Sequence, residues 1–328
     1  MTKKINRIGV MTSGGDAPGM NAAIRAVVRS CAYYNIECIG FKRGFEGIID
    51  GDYMTLNARS VRNVINHGGT FLKSARCPEF KTKEGREKAA ANLKAAKVDA
   101  LILIGGDGTF RGGLALSKEH DIPVLGVPGT IDNDIFGTNF TIGYDTALNT
   151  VLGAVDKIRD TASSHNRLFF VEVMGRDAGF IALNSGIGSG AEEILIPEEN
   201  LGLDRLLNSL ERSRRSGKTS SIVIVSEGDK IGKNVFELAE YVKENLPYYD
   251  AKVTVLGHIQ RGGSPTCFDR VLASRLCVKA VELILDGKRD IMVGTIKNKI
   301  QACELEKALK GKPSINKDLL RISDILSV

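Results

Sequence analysis

The segment Ala100-Leu101-Ile102-Leu103-Ile104-Gly105-Gly106-Asp107-Gly108-Thr109 is an apolar run that ends in a turn of small residues with one carboxylate. Residues 124–134, VLGVPGTIDND, have the same layout and end with two carboxylates. Each pattern predicts a buried β-strand followed by a turn that holds glycine and aspartate. In open α/β sheets ligands bind beyond the carboxyl ends of strands, so these turns are the first candidates for a functional site.

Strand-like and helix-like segments alternate along the whole chain. The apolar strand candidates are 5–11, 38–41, 100–104, 124–127, 168–173, 222–226 and 253–256. Residues with helical periodicity lie between them, at 20–34, 83–96, 109–120, 147–161, 203–214, 235–245 and 271–286. Strands separated by helices indicate βαβ units. We therefore predict an α/β fold of mostly parallel sheets covered by helices.

Composition limits the classes of function. The chain has 328 residues, 43% apolar and 26% charged, with a net charge of +6. That length is sufficient for two α/β domains. The basic residues are dispersed and form no stripe interleaved with aromatic residues, which argues against nucleic-acid binding and favours an anionic small-molecule substrate.

The sequence also predicts a cytoplasmic protein. No apolar run approaches the ~20 residues of a membrane span, and the first apolar run ends at Ser13, too early for a signal peptide. The six cysteines show no C-x-x-C spacing, so we expect reduced thiols and no membrane partner.

The first predicted strand leads into residues 12–19, TSGGDAPG, and then into a helix. A glycine-bearing turn before a helix directs backbone N–H groups and a partial positive charge at one point, which suits a phosphate. Taken alone, the turn is equally compatible with an ordinary strand-to-helix connection. It follows neither the Walker pattern nor G-x-G-x-x-G.

Asp132 and Asp134 flank Asn133. In extended backbone, alternate residues point to the same side. One carboxylate can then accept a hydroxyl proton while the other orients that hydroxyl or helps to hold Mg²⁺. The alternative is an Asp- and Asn-rich surface turn. Glycine–aspartate turns after successive strands disfavour that alternative and indicate phosphoryl transfer.

Taken together, these motifs resemble the 6-phosphofructokinases, specifically the bacterial ATP-dependent, tetrameric, allosteric type. The matching segments are 12–19, 68–72, 74–76, 105–109, 128–134, 172–176 and 257–265. The resemblance implies two Rossmann-like, three-layer α/β domains with mostly parallel sheets and the active site in the cleft between them. It implies an ATP-binding domain at 1–143 plus about 260–307, and a fructose 6-phosphate domain at 144–259 plus about 308–328.

The resemblance also implies an activity. ATP would phosphorylate the 1-hydroxyl of D-fructose 6-phosphate to fructose 1,6-bisphosphate, the committed step of glycolysis, with Mg²⁺ as cofactor. A homotetramer would share active and effector sites between subunits and respond to ADP and phosphoenolpyruvate. Family members that use pyrophosphate carry Asp at the position of Gly108 and Lys at the position of Gly129. Glycine at 108 leaves room for the α-phosphate of a nucleotide, and glycine at 129 removes a pyrophosphate clamp.

Catalytic roles follow from the same resemblance. Asp132 would be the general base, and Asp107 would hold Mg²⁺ with support from Asp134. The other implied catalytic residues are Gly14, Arg76, Thr130 and Arg176. The implied ATP contacts are Gly14, Arg76, Cys77, Gly106, Asp107, Gly108 and Thr109.

The implied sugar-phosphate contacts are Thr130, Ile131, Asp132, Arg167, Met174, Gly175, Arg176, Glu227, Lys252, His258 and Arg261. Arg167 and Lys252 would reach the 6-phosphate of the sugar from a neighbouring subunit. The family has Arg at position 252. Lys keeps the charge but lacks the planar fork that binds phosphate bidentately, so we expect weaker or less cooperative binding of the sugar phosphate.

The implied effector residues are Arg25, Arg29, Arg159, Gly190, Glu192 and Lys218. Arg25 and Arg29 are four residues apart and share a helix face. The alternative for these two residues is a solvated helix face, and for 212–218 a cation-rich helix end. Ser216 stands where relatives commonly have a basic effector ligand.

Two other functions stay open at this point. One is a pyrophosphate-dependent phosphofructokinase, which Gly108 and Gly129 disfavour. The other is a non-catalytic, ligand-sensing subunit. Such a subunit should have lost Asp132, Asp107 or Arg76, and all three are present.

Overall fold

The computed structural model describes residues 4–165, 167–199, 202–218, 221–231 and 234–327. The strands are β1 Arg7–Thr12, β2 Glu37–Phe41, β3 Tyr53–Leu56, β4 Ala100–Gly105, β5 Val124–Pro128, β6 Arg167–Val173, β7 Glu193–Leu195, β8 Ser221–Ser226, β9 Asp250–Val255, β10 Ile291–Ile296 and β11 Lys299–Glu304. The helices are α1 Met20–Tyr33, α2 Phe45–Asp50, α3 Lys83–Ala95, α4 Asp107–His120, α5 Tyr144–His165, α6 Phe180–Ser189, α7 Leu203–Arg215, α8 Val235–Asn245, α9 Cys267–Leu285, α10 Leu305–Lys310 and α11 Lys317–Leu326. Short 3₁₀ turns occupy Glu79–Lys81 and Gly257–Arg261.

The larger sheet has seven strands in the order β11-β10-β5-β4-β1-β2-β3. Its inner strands are parallel, while β3 and β11 pair antiparallel at the two edges. Every residue of β4 and β5 is buried. Strands covered by helices on both faces need such continuous apolar runs, because neither face meets water.

Strand register brings the predicted turns of this sheet to one edge. Thr12 of β1 lies opposite Ile104 of β4, and Gly105 of β4 lies opposite Pro128 of β5. The residues that follow these strands therefore emerge side by side. The strand order also reverses between β1 and β4, which is where open α/β sheets bind their ligands.

The smaller sheet has four parallel strands in the order β7-β8-β6-β9. Its core includes Leu168, Phe170, Val223, Val225 and Leu238, all buried. Val173 lies opposite Ser226, and Glu172 lies opposite Val255. The carboxyl ends of β6, β8 and β9 thus bring residues 174–176, 227 and 256–258 to a second common edge.

The chain divides into two compact units. One comprises Met1–Ile131, Ile135–Thr146 and Arg261–Pro313, and the other comprises Asp132–Asp134, Ala147–Gln260 and Ser314–Val328. The predicted domains are 1–143 with about 260–307, and 144–259 with about 308–328. Their boundaries differ by a few residues from those of the two units. The assignment of ATP to one domain and of fructose 6-phosphate to the other, and the active site in a cleft, stay predictions.

The predicted fold class is confirmed, because α/β units with mostly parallel sheets form both parts of the chain. The sequence patterns did not predict β3, β7, β10, β11, α2, α6, α10 or α11. The hairpin between β10 and β11 turns at Lys297 and Asn298, which have φ of 50° and 62°, and β11 has the sequence KIQACE, which contains no apolar run. Helix α6 contains internal glycines that obscure its periodicity.

None of the helices in the described ranges is long and apolar enough to span a membrane.

A buried carboxylate ties the start of α5 to α9. Asp269 is fully buried and accepts hydrogen bonds from Gly143 N (2.9 Å), Thr146 N (2.8 Å) and Thr146 Oγ1 (2.6 Å). Burial raises the pKa of Asp269 to about 6, although the bonds from Thr146 and Gly143 lower it. A charged group is therefore placed where its charged form is disfavoured.

We expect the stability of the chain to depend on pH through Asp269. Its pKa is higher in the folded chain than the value of about 3.9 in an unfolded chain. Its contribution to the free energy of unfolding is therefore complete below about pH 4 and is lost as the pH rises through about 6, by up to about 3 kcal/mol. In urea unfolding, the free energy of unfolding of the wild type minus that of Asp269→Asn should be about 3 kcal/mol larger at pH 4 than at pH 7, because only the wild type loses stability as this carboxyl ionises. Equal differences at both pH values would contradict this assignment, and exposed Asp286→Asn is the control.

Candidate active site

Hydrogen bonds between backbone groups hold the turns of the larger sheet together. Ser13 N donates to Ile104 O at 3.1 Å, and Gly129 N donates to Gly105 O at 3.0 Å. Thr109 Oγ1 donates to Ser13 O at 3.2 Å. The predicted glycine turns after β1, β4 and β5 therefore form one connected surface.

Two glycines make this close approach possible. Gly14 has φ of +88°, which residues with a side chain rarely adopt. A Cβ on Gly105 would lie 2.5 Å from Ser13 O. A larger residue at 105 would therefore separate the first turn from the second.

Helix α4 begins at Asp107, two residues before its predicted start, with Gly106 as the N-cap. Asp107 is thus in the first turn, where a carboxylate is favoured by the helix dipole. No side chain caps this helix, so its first N–H groups suit a phosphate. A Cβ on Gly106 or Gly108 would meet no other atom within 4 Å, and neither glycine has positive φ.

The segment 68–76 is fastened beside the first turn. Ser74 Oγ donates to Gly14 O at 2.7 Å, and the hydroxyls of Thr12 and Thr70 lie 2.8 Å apart. Asn21 in α1 donates to His67 O and Gly68 O and accepts from Phe71 N. Asn21 was not predicted as a site residue, because its role depends on a loop that is distant in sequence.

The cations predicted to meet phosphate lie around this surface. Arg76 is exposed and has no hydrogen-bond or ion-pair partner among the described residues, and Cys77 beside it is half-buried. The Arg261 guanidinium lies near the first turn, because a Cβ on Gly15 would be 3.3 Å from its Nη1.

The two carboxylates after β5 converge on one arginine. Arg176 Nη2 lies 3.5 Å from Asp132 Oδ2, and Arg176 Nη1 lies 3.9 Å from Asp134 Oδ2. The expectation of extended backbone here is wrong, since Asn133 has φ of 54°. The carboxylates nevertheless approach the same partner, because the left-handed residue turns the chain between them.

These carboxylates differ in environment. Asp132 is only 4% exposed, whereas a quarter of the Asp134 side chain, 25%, is exposed. Burial raises the pKa of Asp134 above its usual range, and the charge of Arg176 opposes that rise. Thr130 precedes them, and its carbonyl accepts from Thr141 Oγ1 at 2.6 Å.

Arg176 has φ of 56°, in the left-handed region, a conformation that costs a residue with a side chain roughly 1–2 kcal/mol. Glu227 Oε1 holds this turn by accepting from Arg176 N at 2.7 Å and Gly175 N at 3.2 Å. A Cβ on Gly228 would lie 2.1 Å from Arg176 O. Strain that neighbours hold in place is typical of functional sites.

The remaining residues at this edge follow β6 and β9. Met174 N donates to Gln260 Oε1 at 3.2 Å, and Gln260 is fully buried. Gln260 was not predicted, because a buried amide gives no signal in sequence. His258 and Glu227 are exposed. Burial and the nearby charge of Glu227 raise the pKa of Glu172.

Arg167 and Lys252 share a carboxylate. Arg167 Nε lies 2.9 Å from Asp250 Oδ2, and Lys252 Nζ lies 2.7 Å from Asp250 Oδ1. The bond from Lys252, together with Arg167, lowers the pKa of Asp250. The structure therefore places the two predicted phosphate cations side by side and adds a counter-ion that was not predicted.

Four of the predicted effector residues lie together. Glu192 Oε1 is 3.8 Å from Arg159 Nη1 and 4.0 Å from Lys218 Nζ, and Arg159 Nη2 donates to Gly190 O at 2.8 Å. Glu192 is only 5% exposed. Arg25 and Arg29 belong to the other unit, where they line a cavity of about 310 Å³ between α1 and α9.

No group of three or more His, Cys, Asp or Glu within the described residues could enclose a metal ion. Mg²⁺ is commonly held by one or two carboxylates together with substrate phosphates. The donor set at the start of α4 fits that mode, because Asp107 stands where phosphates are expected.

The chain is similar in sequence to known proteins. The phosphofructokinase family matches residues 7–284. The ATP-dependent 6-phosphofructokinase 1 of Thermus thermophilus is 54% identical over 324 residues, covering 99% of this chain and 100% of that protein.

The fold is also similar to those of solved structures. A phosphofructokinase from Saccharomyces cerevisiae matches with a TM-score of 0.87 and 34% identity, covering 98% of this chain and 46% of that longer chain. A pyrophosphate-dependent phosphofructokinase from Marinobacter aquaeolei has a TM-score of 0.84, covering 96% of this chain and 86% of that one. Its identity of 22% shows a shared fold alone.

The expectation drawn from the motifs is therefore confirmed at the level of the family. The matched residues include the turns after β1, β4 and β5 and those after β6, β8 and β9. The chain belongs to the phosphofructokinase family.

Proposed function

We propose that the protein transfers the γ-phosphoryl group of ATP to the 1-hydroxyl of D-fructose 6-phosphate, giving ADP and fructose 1,6-bisphosphate. The observation that carries this proposal is the set of hydrogen-bonded glycine turns after β1, β4 and β5, with Asp107 at the start of α4. The 54% identity to an ATP-dependent 6-phosphofructokinase, over 99% of this chain, supports it. This reaction would supply the committed step of glycolysis in the cytoplasm.

The nucleotide phosphates would lie over the start of α4 and the turn at Gly14. Backbone N–H groups of Gly14, Gly106, Asp107 and Gly108 would contact them, with Thr109, Arg76 and Cys77 alongside. Arg76 supports this assignment because it is exposed and has no partner among the described residues. A cation that is not yet paired can neutralise an incoming phosphate without first losing another contact.

Asp132 would accept the proton of the 1-hydroxyl as its oxygen forms a bond to the γ-phosphorus. The bond from that phosphorus to the bridging oxygen breaks, and ADP leaves with the electron pair. Asp132 is almost fully buried and lies 3.5 Å from Arg176, so Arg176 would keep its carboxylate oriented. Gly14, Arg76 and Thr130 would stabilise the transferring group, since such donors contribute most of the rate in phosphoryl transfer.

Mg²⁺ would be held by Asp107, with support from Asp134, and would neutralise charge on the phosphates when bound. Asp134 would otherwise help to orient Arg176, with which it pairs.

The choice of ATP over pyrophosphate rests chiefly on Gly108. The fold does not require glycine there, because a Cβ at 108 would meet nothing within 4 Å. The space is therefore left for a ligand. Gly129 is less informative, since a Cβ at 129 would already lie 3.1 Å from Ile104 Cγ2.

We expect fructose 1,6-bisphosphate to form with ATP and not with pyrophosphate in a coupled assay. Gly108→Asp should fold normally but lower kcat/KM for ATP by about 10- to 100-fold, since a carboxylate would repel the α-phosphate. Gly153→Asp is the matched control, because Gly153 is exposed on α5 and equally unobstructed. Activity of the wild type with pyrophosphate would overturn the donor assignment.

Asp132→Asn should lower kcat by about 10²–10⁴-fold, because the amide cannot accept the hydroxyl proton. Affinity for fructose 6-phosphate should change far less than kcat, since the amide keeps the size of the side chain. Steady-state kinetics with both substrates varied gives the two parameters separately. A kcat close to that of the wild type would remove Asp132 as the general base. Asp204→Asn, an exposed carboxylate on α7, is the control.

The sugar phosphate would contact Thr130, Ile131, Asp132, Met174, Gly175, Arg176, Glu227, His258 and Arg261. Glu227 is suited to a sugar hydroxyl because it is exposed and anchored by two backbone N–H groups. Arg167 and Lys252 would bind the 6-phosphate of a sugar in the site of a neighbouring subunit. Asp250 keeps both cations at the surface in one geometry.

We expect Lys252→Arg to tighten binding of fructose 6-phosphate several-fold, because the planar guanidinium binds phosphate bidentately. Titrations of the sugar phosphate should also show a steeper response. The same titrations with ADP or phosphoenolpyruvate present measure effector coupling. An unchanged half-saturation concentration and Hill coefficient would show that position 252 does not contact the phosphate.

The effector site would comprise Arg25, Arg29, Arg159, Gly190, Glu192 and Lys218, and would bind ADP and phosphoenolpyruvate between subunits of a homotetramer. Buried Glu192 keeps Arg159 and Lys218 close together. Exposed Tyr33 on α1 and Val271 and Val278 on α9, at 79%, 50% and 39% exposure, support an interface on those helices.

A further inference from the structure

A cavity of about 760 Å³ lies at the amino ends of the strands of the seven-stranded sheet, on the side opposite the glycine turns. Its lining includes Ile5 before β1, Val98 and Asp99 before β4, Pro123 before β5 and Arg289 before β10. These strands are parallel, so their amino ends meet at one edge and their carboxyl ends at the other. The volume is within the range of small-molecule sites, roughly 300–1,000 Å³.

One part of the wall is apolar. It is formed by the side chains of Ala90, Ala91, Val98, Ile122 and Ile284. Small and branched apolar residues leave a smooth surface against which a ring or short hydrocarbon chain can pack. The cavity therefore favours a ligand with an apolar body.

The carboxylates on the wall already have partners. Asp99 accepts from Asn6 N at 2.9 Å and Arg7 N at 3.0 Å. Asp121 lies 2.6 Å from Arg289 Nη1, and Glu87 lies 4.0 Å from Lys83 on the same helix. Asp121 and Glu87 are thus paired with cations, and Asp99 is hydrogen-bonded to the backbone.

The two lysines on the wall differ from these carboxylates. The ammonium groups of Lys94 and Lys288 make no hydrogen bond or ion pair with any residue in the described part of the chain. Lys94 lies in the last turn of α3 and Lys288 follows the end of α9, where helix carbonyls favour cations. Those carbonyls cannot themselves bind an anion, so the lysine side chains would have to meet it.

His120 forms another part of the wall. It lines the cavity, and its Nε2 is buried with no hydrogen-bond partner among the described residues. Because Nε2 has no accessible surface, the ring contributes its other atoms to the wall. The distance of 3.9 Å from Nε2 to Glu119 Oε2 is too long for a hydrogen bond.

We propose that this cavity binds a small organic anion, in which an aromatic or other apolar body carries a phosphate or carboxylate group. The apolar body packs against the side chains that precede β4 and β5. Lys94 and Lys288 pair with the anionic group, and the His120 ring forms part of the wall. The site is separate from the reaction proposed above and does not depend on it.

Naphthyl phosphate, naphthoate and neutral naphthol are suitable probes, since they share one ring and differ in the attached group. Titration calorimetry of the full-length protein, with ATP and Mg²⁺ present to occupy the nucleotide site, should show one site per chain for an anionic probe. Naphthol should bind at least about tenfold more weakly, because it lacks the charge that the lysines pair with. The tighter of the two anions identifies the phosphate or the carboxylate as the recognised group.

Lys94→Gln and Lys288→Gln should each weaken anion binding about tenfold, the loss expected for one charge-assisted hydrogen bond. Ala91→Trp, at an exposed helix position on the wall, should abolish binding of all probes. Lys312→Gln is the matched control, because Lys312 is exposed, has no partner among the described residues and lies outside the cavity.

Phosphoryl transfer should be unchanged in all four variants, which separates this site from the reaction. Equal affinity in the wild type and both cavity lysine variants would overturn the proposal, as would the absence of binding at millimolar probe. Equal weakening by Lys312→Gln would also overturn it, by showing that the contact is non-specific. If melting shows that Ala91→Trp does not fold, the two lysine variants decide the question.

Discussion

The candidate site depends on the alignment of β5, β4 and β1 at their carboxyl ends. Ser13 N bonds to Ile104 O at 3.1 Å and Gly129 N bonds to Gly105 O at 3.0 Å, so the turns after these strands cannot separate. The alignment requires glycine at 105, where a Cβ would lie 2.5 Å from Ser13 O. Because the contact is between backbone groups, it uses neither the Asp107 nor the Arg76 side chain.

A second constraint operates at the end of β6. Arg176 adopts a left-handed conformation that is unfavourable for arginine, and Glu227 and Gly228 hold it there. This placement directs the guanidinium toward Asp132 and Asp134. A strained residue supported on two sides gives a fixed orientation, which phosphoryl transfer requires more than it requires covalent chemistry.

The carboxyl ends and the amino ends of the strands in the larger sheet present different groups to an anion. At the carboxyl edge, helix α4 begins, and its N–H groups and the glycine turns present backbone donors. At the amino edge, helices end, so the backbone presents carbonyl groups, and only side chains such as Lys94 and Lys288 can bind an anion. The first edge therefore suits a polyphosphate and the second a smaller anion with an apolar body.

The sequence by itself determined the α/β class and the turns of the site, because buried parallel strands require continuous apolar runs and phosphate-binding turns require glycine. Its motifs also identified the family. Only the tertiary structure decided that Asn133 turns the chain, that Asp250 joins Arg167 to Lys252, and that Asp269 anchors α5. It alone revealed the edge strands β3 and β11 and the cavity beside His120. These features depend on groups that are distant in sequence and on backbone angles, neither of which leaves a periodic pattern along the chain.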